Sequence, residues 1–369
     1  MSPTTFILLS PPPVDGYPPV QYQARLLAEA GHRVFLVTST RRDGETVPDF
    51  TSPGVEVRAL SAAQYRSRRL TRTGLFVARL LEARLRAGRG AVEICYDPIG
   101  GFISDVTPWR PRLRILHLHE LLQNFDTLHL EHRLRQTVHG FARVVVPDES
   151  RAAHTADVLR LATRPLVIEN YPLRVTAPMP RRDTGRFEVV YCGSLGLNQK
   201  LDMLIRSVPL WPETAHLVLI GNDTTPIGRQ LHAMVAEAGL QKRVHFLGWM
   251  ETSAAEQRLA DADLAVAIFD DSSEQLRTAL GASNKRFQYM KAGLPQIGDM
   301  NPGVTELLDG IGVCLSAHDP EEMAGLVAAY AADPERCRAE GTRAFERHRE
   351  KYNYEQVFTR LTDWVEAVT

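Results

Sequence analysis

What most limits the folds open to this chain is a rhythm: short apolar, β-branched runs separated by longer amphipathic stretches, repeated from one end to the other. Runs without polar alternation suit strands covered on both faces, and the amphipathic stretches suit the helices that cover them, so the pattern predicts α/β layers around parallel sheet. The first half predicts strands at Phe6–Leu9, Val34–Val37, Val55–Leu60, Val92–Tyr96, Ile115–Leu118, Val144–Val146 and Leu166–Ile168. The clearest helix there is Val20–Ala30, with Leu26, Leu27 and Ala30 on one stripe and Gly31 past its end as a C-cap. Between Pro172 and Arg186 three prolines and four arginines replace the rhythm, which reads as an exposed connection. Strands then resume at Phe187–Cys192, Leu217–Ile220, Val244–Leu247, Leu264–Ile268, Pro295–Gly298 and Val313–Leu315, and an amphipathic helix, Tyr354–Val368, ends the chain. The expected division is a first domain over 1–172, a linker over 173–186, a second domain over 187–352 and a final helical segment over 353–369.

Composition narrows the function classes. With 369 residues and a net charge of −1, each half is long enough for its own core, and no general field draws nucleic acid or anionic membrane. Cys95, Cys192, Cys314 and Cys337 stand far apart without a CxxC pair, so neither a disulfide framework nor a zinc knuckle is expected. The N-terminus enters a strand without a basic leader and no apolar run approaches the ~18 residues of a spanning helix, so the expectation is a cytoplasmic protein.

The richest chemistry lies at the restart. Val189-Val190-Tyr191-Cys192-Gly193-Ser194-Leu195-Gly196 places a strand before a glycine-bearing loop, and Lys200 opens the predicted helix Leu201–Val208. Glycine admits an anion to the backbone, a helix start points free N–H groups at it, and lysine adds a charge, though two glycines after a strand are equally a tight turn. Only five cations are lysines against thirty-eight arginines, which singles out Lys200 and Lys285. A second segment runs from Ser283 through Asn284, Lys285 and Gln288 to Gly293 and Pro295, a capped helix before a strand. Asp261-Ala262-Asp263 is formally an Asp-x-Asp, but it sits in a helix-to-strand turn, where a structural role is expected.

The series VVYCGSLG with Lys200, LVLIGND, VHFLGW, LADADLAVAIF, SNKRFQYMKAGLP and GVTELL resembles the nucleotide-sugar domain of family 4 retaining glycosyltransferases of the GT-B fold. The turn Gly31–Val34, Leu116–Glu120, Val144–Arg151 and Val167–Pro172 are similar to that family's acceptor domain. The resemblance implies two Rossmann-like domains facing across a cleft and a C-terminal helix crossing back to the first. It also implies a nucleoside-diphosphate-sugar donor, a hydroxyl acceptor and no metal or other cofactor. It places the diphosphate lysine on Lys200 and the active-site histidine on His119 beside Glu120. Backbone groups near Gly193 and Thr305, with Glu306 beside it, fall at the donor, and an opening loop containing Asp15 and Gly16 would close over the phosphates.

Three positions depart from the family's pattern. The usual arginine is Ser194, the sugar-contacting glutamate is Leu280 and the ribose-binding glutamate is Gln288. Arg277 or Glu274 is an alternative source of the lost contacts. An amide offers one acceptor and one donor where a carboxylate accepts twice, so Gln288 suits a thymidine donor lacking the 2′-hydroxyl. No histidine occurs from Ser10 to Ala30, where inverting relatives keep a base, which favours retention. A non-catalytic nucleotide-sugar-binding subunit and a sugar-nucleotide epimerase of the same architecture remain the alternatives. Between Arg66 and Arg89 eight arginines accompany one glutamate, with Phe76, Val77, Leu80, Leu81 and Leu85 read as one helical face; this is either a sheet-covering helix or a peripheral membrane contact.

Overall fold

A computed structural model describes residues 3–14, 17–40, 54–122 and 130–369 of the chain. It divides into two compact units, one formed by Met1–Asn170 with Tyr354–Thr369 and the other by Tyr171–Asn353. The first unit contains, in chain order, β1 (Thr5–Leu9), α1 (Pro18–Glu29), β2 (Arg33–Ser39), β3 (Val55–Leu60), α2 (Ala62–Tyr65), α3 (Arg69–Ala87) and β4 (Val92–Tyr96). It continues with α4 (Asp97–Val106), β5 (Leu113–His117), α5 (Leu130–Thr137), β6 (Arg143–Val146), α6 (Glu149–Leu159) and β7 (Leu166–Val167). Its seven strands are parallel in the order β3-β2-β1-β4-β5-β6-β7. Leu9 pairs with Cys95 and Tyr96 with His117, so the central strands end level and the residues just beyond them share one edge.

The second unit contains β8 (Phe187–Cys192), α7 (Leu201–Ser207), β9 (Ala215–Ile220), α8 (Pro226–Glu237), β10 (Val244–Gly248), α9 (Thr252–Ala260) and β11 (Leu264–Ala267). After these come α10 (Glu274–Arg277), α11 (Asn284–Lys291), β12 (Gln296–Gly298), α12 (Val304–Leu308), β13 (Gly312–Cys314), α13 (Pro320–Ala332) and α14 (Pro334–Glu350). Its six parallel strands lie in the order β10-β9-β8-β11-β12-β13. Val189 and Tyr191 belong to one core cluster and Val190 to another, so β8 is buried on both faces and has no polar alternation to show. The last helix, α15 (Tyr354–Val368), lies in the first unit, where Arg360 bonds the Val167 carbonyl and Glu169.

Several local expectations change. α1 begins at Pro18, whose missing N–H costs nothing at a helix start, and buries Val20, Gln23, Ala24, Leu27 and Ala28, whereas Ala30 is exposed. The polar Gln23 lies inside that stripe and hides it from a hydrophobic reading. In α3, Phe76 and Leu80 face the core but Leu85 is exposed, and Arg84 turns inward instead. Its guanidinium grips both oxygens of Glu93 at 2.7 Å, with neither side chain accessible to solvent, and also bonds Ser104. Such a pair is held because every donor finds an acceptor in a region closed to water. Glu274 and Arg277, expected in a loop, form the short α10 and pair with each other at the surface.

The helix α4 spaces Ile99, Phe102, Ile103 and Val106 on one stripe and carries two glycines between Pro98 and Phe102. A Cβ at Gly100 would lie 3.2 Å from the Leu9 carbonyl oxygen, and one at Gly101 would lie 3.1 Å from Leu116 Cδ1. Glycine there admits the helix close to β1 and β5, which sets the position of its first residue, Asp97.

Candidate functional site

In the second unit, β8 runs into Gly193, whose φ of +144° is a conformation side chains rarely adopt. A Cβ on Gly193 would lie 2.3 Å from Lys285 Cε, and a Cβ on Gly221 only 2.1 Å from the Gly193 carbonyl oxygen. The two loops therefore nest, and Lys285 lies along the glycine. Its ammonium stands 4.9 Å from the Phe269 ring centre and 5.4 Å from that of Tyr191, within reach of cation–π attraction. It has no hydrogen-bond or ion-pair partner among the described residues, and burial pulls its pKa down to about 8. A lysine held over two rings without an ion-pair partner keeps a charge that an anion can neutralise.

Lys200 is placed differently. It has φ +53°, closes the turn Leu197–Gln199 and precedes α7. Its ammonium is 3.4 Å from Asp270 Oδ2. Burial raises the Asp270 pKa, but hydrogen bonds from Ser272 and from Lys200 outweigh it and hold the carboxyl below its ordinary value. Both line a cavity of about 400 Å³ with Asn198, Arg206 and His318. Lys200 thus enters the site already paired.

The expected backbone donor at Gly193 is spoken for, because its N–H donates to the Ile220 carbonyl at 2.9 Å and extends the β8–β9 ladder by one residue. Ser194 is exposed, and its carbonyl accepts from the Tyr191 hydroxyl at 2.6 Å. Ser283 occupies the N-cap position of α11 without a side-chain bond, and Asn284 is the first helical residue. Asn284 and Gln288 are four apart on α11, hence on one face, half-buried, and their side chains have no hydrogen-bond partners among the described residues. Thr305 and Glu306 are exposed in α12 and line a cavity of about 500 Å³ with Cys314. Leu280 packs on the turn before α12; a Cβ on Gly303 would lie 2.6 Å from its Cδ2. Arg277 is held by Glu274.

Arg286 was not among the expected residues. It is buried, 2.5 Å from Asp299 Oδ2 and 2.7 Å from the Ala267 carbonyl, and Asp299 also accepts from the Phe269 N–H at 2.8 Å. This pair holds the turn that carries the aromatic floor under Lys285. Asp261 and Asp263 also have structural partners: Asp261 accepts from the Arg182 N–H at 3.0 Å, and Asp263 from the Glu188 N–H at 2.8 Å while it pairs with Arg181. Among the described residues no group of three or more His, Cys, Asp or Glu side chains is arranged to hold a metal ion.

In the first unit the edge beyond β4 and β5 gathers rings. His119 is 5% exposed, and its ring centre lies 5.5 Å from Tyr96 at 12°, 4.6 Å from His117 at 24° and 5.7 Å from Tyr17. Neither ring nitrogen has a hydrogen-bond partner among the described residues. The Arg151 guanidinium donates to the His119 carbonyl at 2.7 Å and lies 3.9 Å from Glu120; burial lowers the Arg151 pKa. His117 is enclosed, which pushes its pKa well down and keeps it neutral. Gln23 Nε2 donates to His117 Nδ1 at 3.1 Å and to the Tyr354 hydroxyl at 2.7 Å, while the Tyr96 hydroxyl donates to Gln23 Oε1 at 2.6 Å. Asp15 and Gly16 lie outside the described residues.

The sequence patterns missed Asp97, Arg151, Gln23 and Tyr96. Asp97 had one signal, its place immediately after a predicted strand at the edge where α/β sheets bind ligands.

Comparison with known proteins adds three findings. Residues 186–333 match the family described as Glycosyl transferases group 1. No curated protein matches the chain in sequence. Among solved structures, sucrose-phosphate synthase from Thermosynechococcus elongatus is similar at a TM-score of 0.75 and 16% identity, covering 99% of each chain. Anabaena HepE, determined in complex with UDP and glucose, is similar at 0.75 and 15%, covering 99% of this chain and 100% of that one. A glycosyltransferase from Rickettsia africae is similar at 0.70 and 9%, covering 100% and 99%. The fold is therefore that of GT-B glycosyltransferases across the whole chain, and the group 1 domain together with these likenesses supports a glycosyltransferase.

Proposed function

We propose that the chain is a retaining glycosyltransferase of the family 4 type, moving a sugar from a nucleoside diphosphate to a hydroxyl acceptor. The observation that carries the reading is Lys285, an ammonium without an acidic partner beside Gly193 in the segment that matches the group 1 transferases. Charge develops on the departing diphosphate as the bond from the anomeric carbon to the phosphate oxygen breaks. Cations already in place there stabilise the transition state more than the ground state. Lys285 and Lys200 fill that role in this reading, with Asn284 and Gln288 turned to the nucleotide. The acceptor oxygen bonds the anomeric carbon on the face the phosphate leaves, and its proton passes to the departing phosphate oxygen. His119 meets the donor sugar with a ring nitrogen. The diphosphate charge is met by these side chains and the backbone, and the site is read as working without a metal. HepE has also been determined with UDP-glucose, which supports a nucleotide-sugar donor here.

The test pairs binding with turnover. Calorimetry against a panel of nucleoside diphosphates identifies the base, and Lys200→Ala is expected to weaken the best of them by about 1.5–3 kcal/mol with the fold intact. Equal affinity in parent and variant removes Lys200 from the phosphate site. The second reading, a binding subunit without turnover, has a specific basis in Ser194, Leu280 and Gln288, all neutral where the family carries charge. Tight binding with no release of nucleoside diphosphate from any nucleotide sugar and acceptor would favour it.

Membrane contact is a further part of the reading. No described helix is long and apolar enough to span a bilayer, but Arg66, Arg68, Arg69, Arg79, Arg86 and Arg89 are exposed, with Leu70 and Leu85 beside them. Such a surface suits anionic lipid headgroups, and flotation with anionic vesicles should then weaken as salt rises. The four cysteines are free, which agrees with a reducing, cytoplasmic setting.

A further inference from the structure

We propose that Asp97 is a positioning residue that fixes His119 in the tautomer with the proton on Nδ1, leaving Nε2 as an acceptor for a substrate hydroxyl. The inference rests on the reading of His119 given above, and it begins from the backbone. Asp97 follows β4 directly and has φ +57°, a left-handed conformation that costs most residues energy but that aspartate and asparagine tolerate. That geometry turns a 4% exposed carboxylate toward the end of β5. Oδ1 accepts the His119 backbone N–H at 2.9 Å, and Oδ2 lies 3.7 Å from His119 Nδ1. The second separation is within ion-pair reach and closes to a hydrogen bond with a ring shift of about 0.5–1 Å.

One carboxylate thus addresses both the backbone and the ring of the same histidine. A carboxylate accepts and never donates when ionised, so the ring nitrogen facing it carries the proton. The other groups around His119 leave that assignment to Asp97. Tyr96 and Tyr17 meet it with their ring faces and edges, and Arg151 bonds its carbonyl and Glu120 rather than its ring. His117 is neutral, and its Nδ1 is occupied by Gln23. Asp97 is the only carboxylate within ion-pair distance of the His119 ring among the described residues. With Nδ1 the nitrogen that faces Asp97, Nε2 is the one left for a ligand.

Asp97→Asn is the decisive variant because the fold dictates how the amide sits. The backbone N–H of His119 requires an oxygen, so the amide oxygen takes the Oδ1 place and the NH₂ falls opposite Nδ1. The ring must then accept at Nδ1 and protonate Nε2, the reverse of the parent. Asparagine also keeps the left-handed backbone that alanine would strain. The experiment is ¹H–¹⁵N correlation across the histidine rings of the full-length, ligand-free protein, with His119→Gln assigning the signal. The parent should show His119 protonated at Nδ1, and Asp97→Asn should show it at Nε2, while His117 keeps one unchanged pattern in both. Turnover in the variant should fall on the order of ten- to a hundredfold with donor affinity unchanged. A His119 pattern that is the same in parent and variant, or a parent already protonated at Nε2, overturns the proposal. A switched tautomer with full turnover upholds the positioning role and instead overturns the reading of His119 at the reacting sugar.

Discussion

The two units present unlike chemistry at the ends of alike parallel sheets. At the ends of β4 and β5 the first unit sets a stack of Tyr96, His117 and His119, with the Asp97 carboxylate against His119 and Glu120 near Arg151. Around β8 and α11 the second sets two lysines, one over rings and one paired, against a glycine loop. Rings and imidazoles suit a neutral, hydroxyl-bearing ligand whose orientation matters, whereas an unneutralised ammonium such as that of Lys285 suits an anion. A shared architecture therefore says little about what each edge binds, and the few side chains just past the strand ends decide it. Among the described residues each unit also encloses an arginine–carboxylate pair with both side chains at most 2% exposed, Arg84 with Glu93 and Arg286 with Asp299, and these differ in what they support.

The largest effect should come from those pairs. Arg84→Met and Arg286→Met each leave a buried carboxylate alone and should cost about 3–5 kcal/mol of stability, read by chemical denaturation. Only Arg286→Met should also weaken nucleoside-diphosphate binding, because Asp299 holds the turn beneath Lys285. Equal affinities in the two variants, measured where both remain folded, would end the distinction. Next comes His119→Ala, expected to lower kcat on the order of a hundredfold at unchanged donor affinity; a matching rise in Kd would assign His119 to ground-state binding and blur the contrast between the edges.

A smaller effect is expected from pH. The anion binds the protonated Lys285, so affinity should be full below about pH 8 and decline above it, by up to roughly tenfold per unit, unless Lys285→Arg keeps the charge and flattens the profile. The stability sign runs the other way. Folding depresses this pKa from 10.5 to about 8, so the unfolded chain binds more protons in that interval and the destabilising share of this group fades as pH rises through it. An affinity flat from pH 7 to 9 in the parent would remove Lys285 from the anion site. The smallest effect belongs to Gln288→Glu, which should favour uridine over thymidine diphosphate by about 0.5–1.5 kcal/mol. An unchanged ratio would show that α11 does not face the ribose.

The sequence by itself determined the layer class, the place of each strand to within a residue or two, and the half of the chain that holds the lysines. These follow from local regularities: uninterrupted apolar runs mark strands covered on both sides, and glycine after a strand marks a sharp turn. Lys200 and Lys285 were legible as candidates because each sits within a few residues of such a mark, and His119 through the resemblance to family 4 retaining glycosyltransferases. Only the tertiary structure decided which of them are free to act. Lys200 and Asp270 are seventy residues apart in the chain yet meet in space, while Lys285 meets two rings and, among the described residues, no acid. The Gly193 N–H, a donor on paper, is spent on Ile220 from a neighbouring strand. Leu85 is exposed and Arg84 buried because Arg84 is the residue that faces Glu93 on β4, and its neighbour in the helix points another way. Asp97 was the least legible of all: its direction comes from a left-handed backbone at the head of a glycine-bearing helix that contact with β1 and β5 holds in place. A pattern of residue types records what each segment can bury, but pairing between distant segments is settled by which groups the packed sheets leave within hydrogen-bond reach of one another.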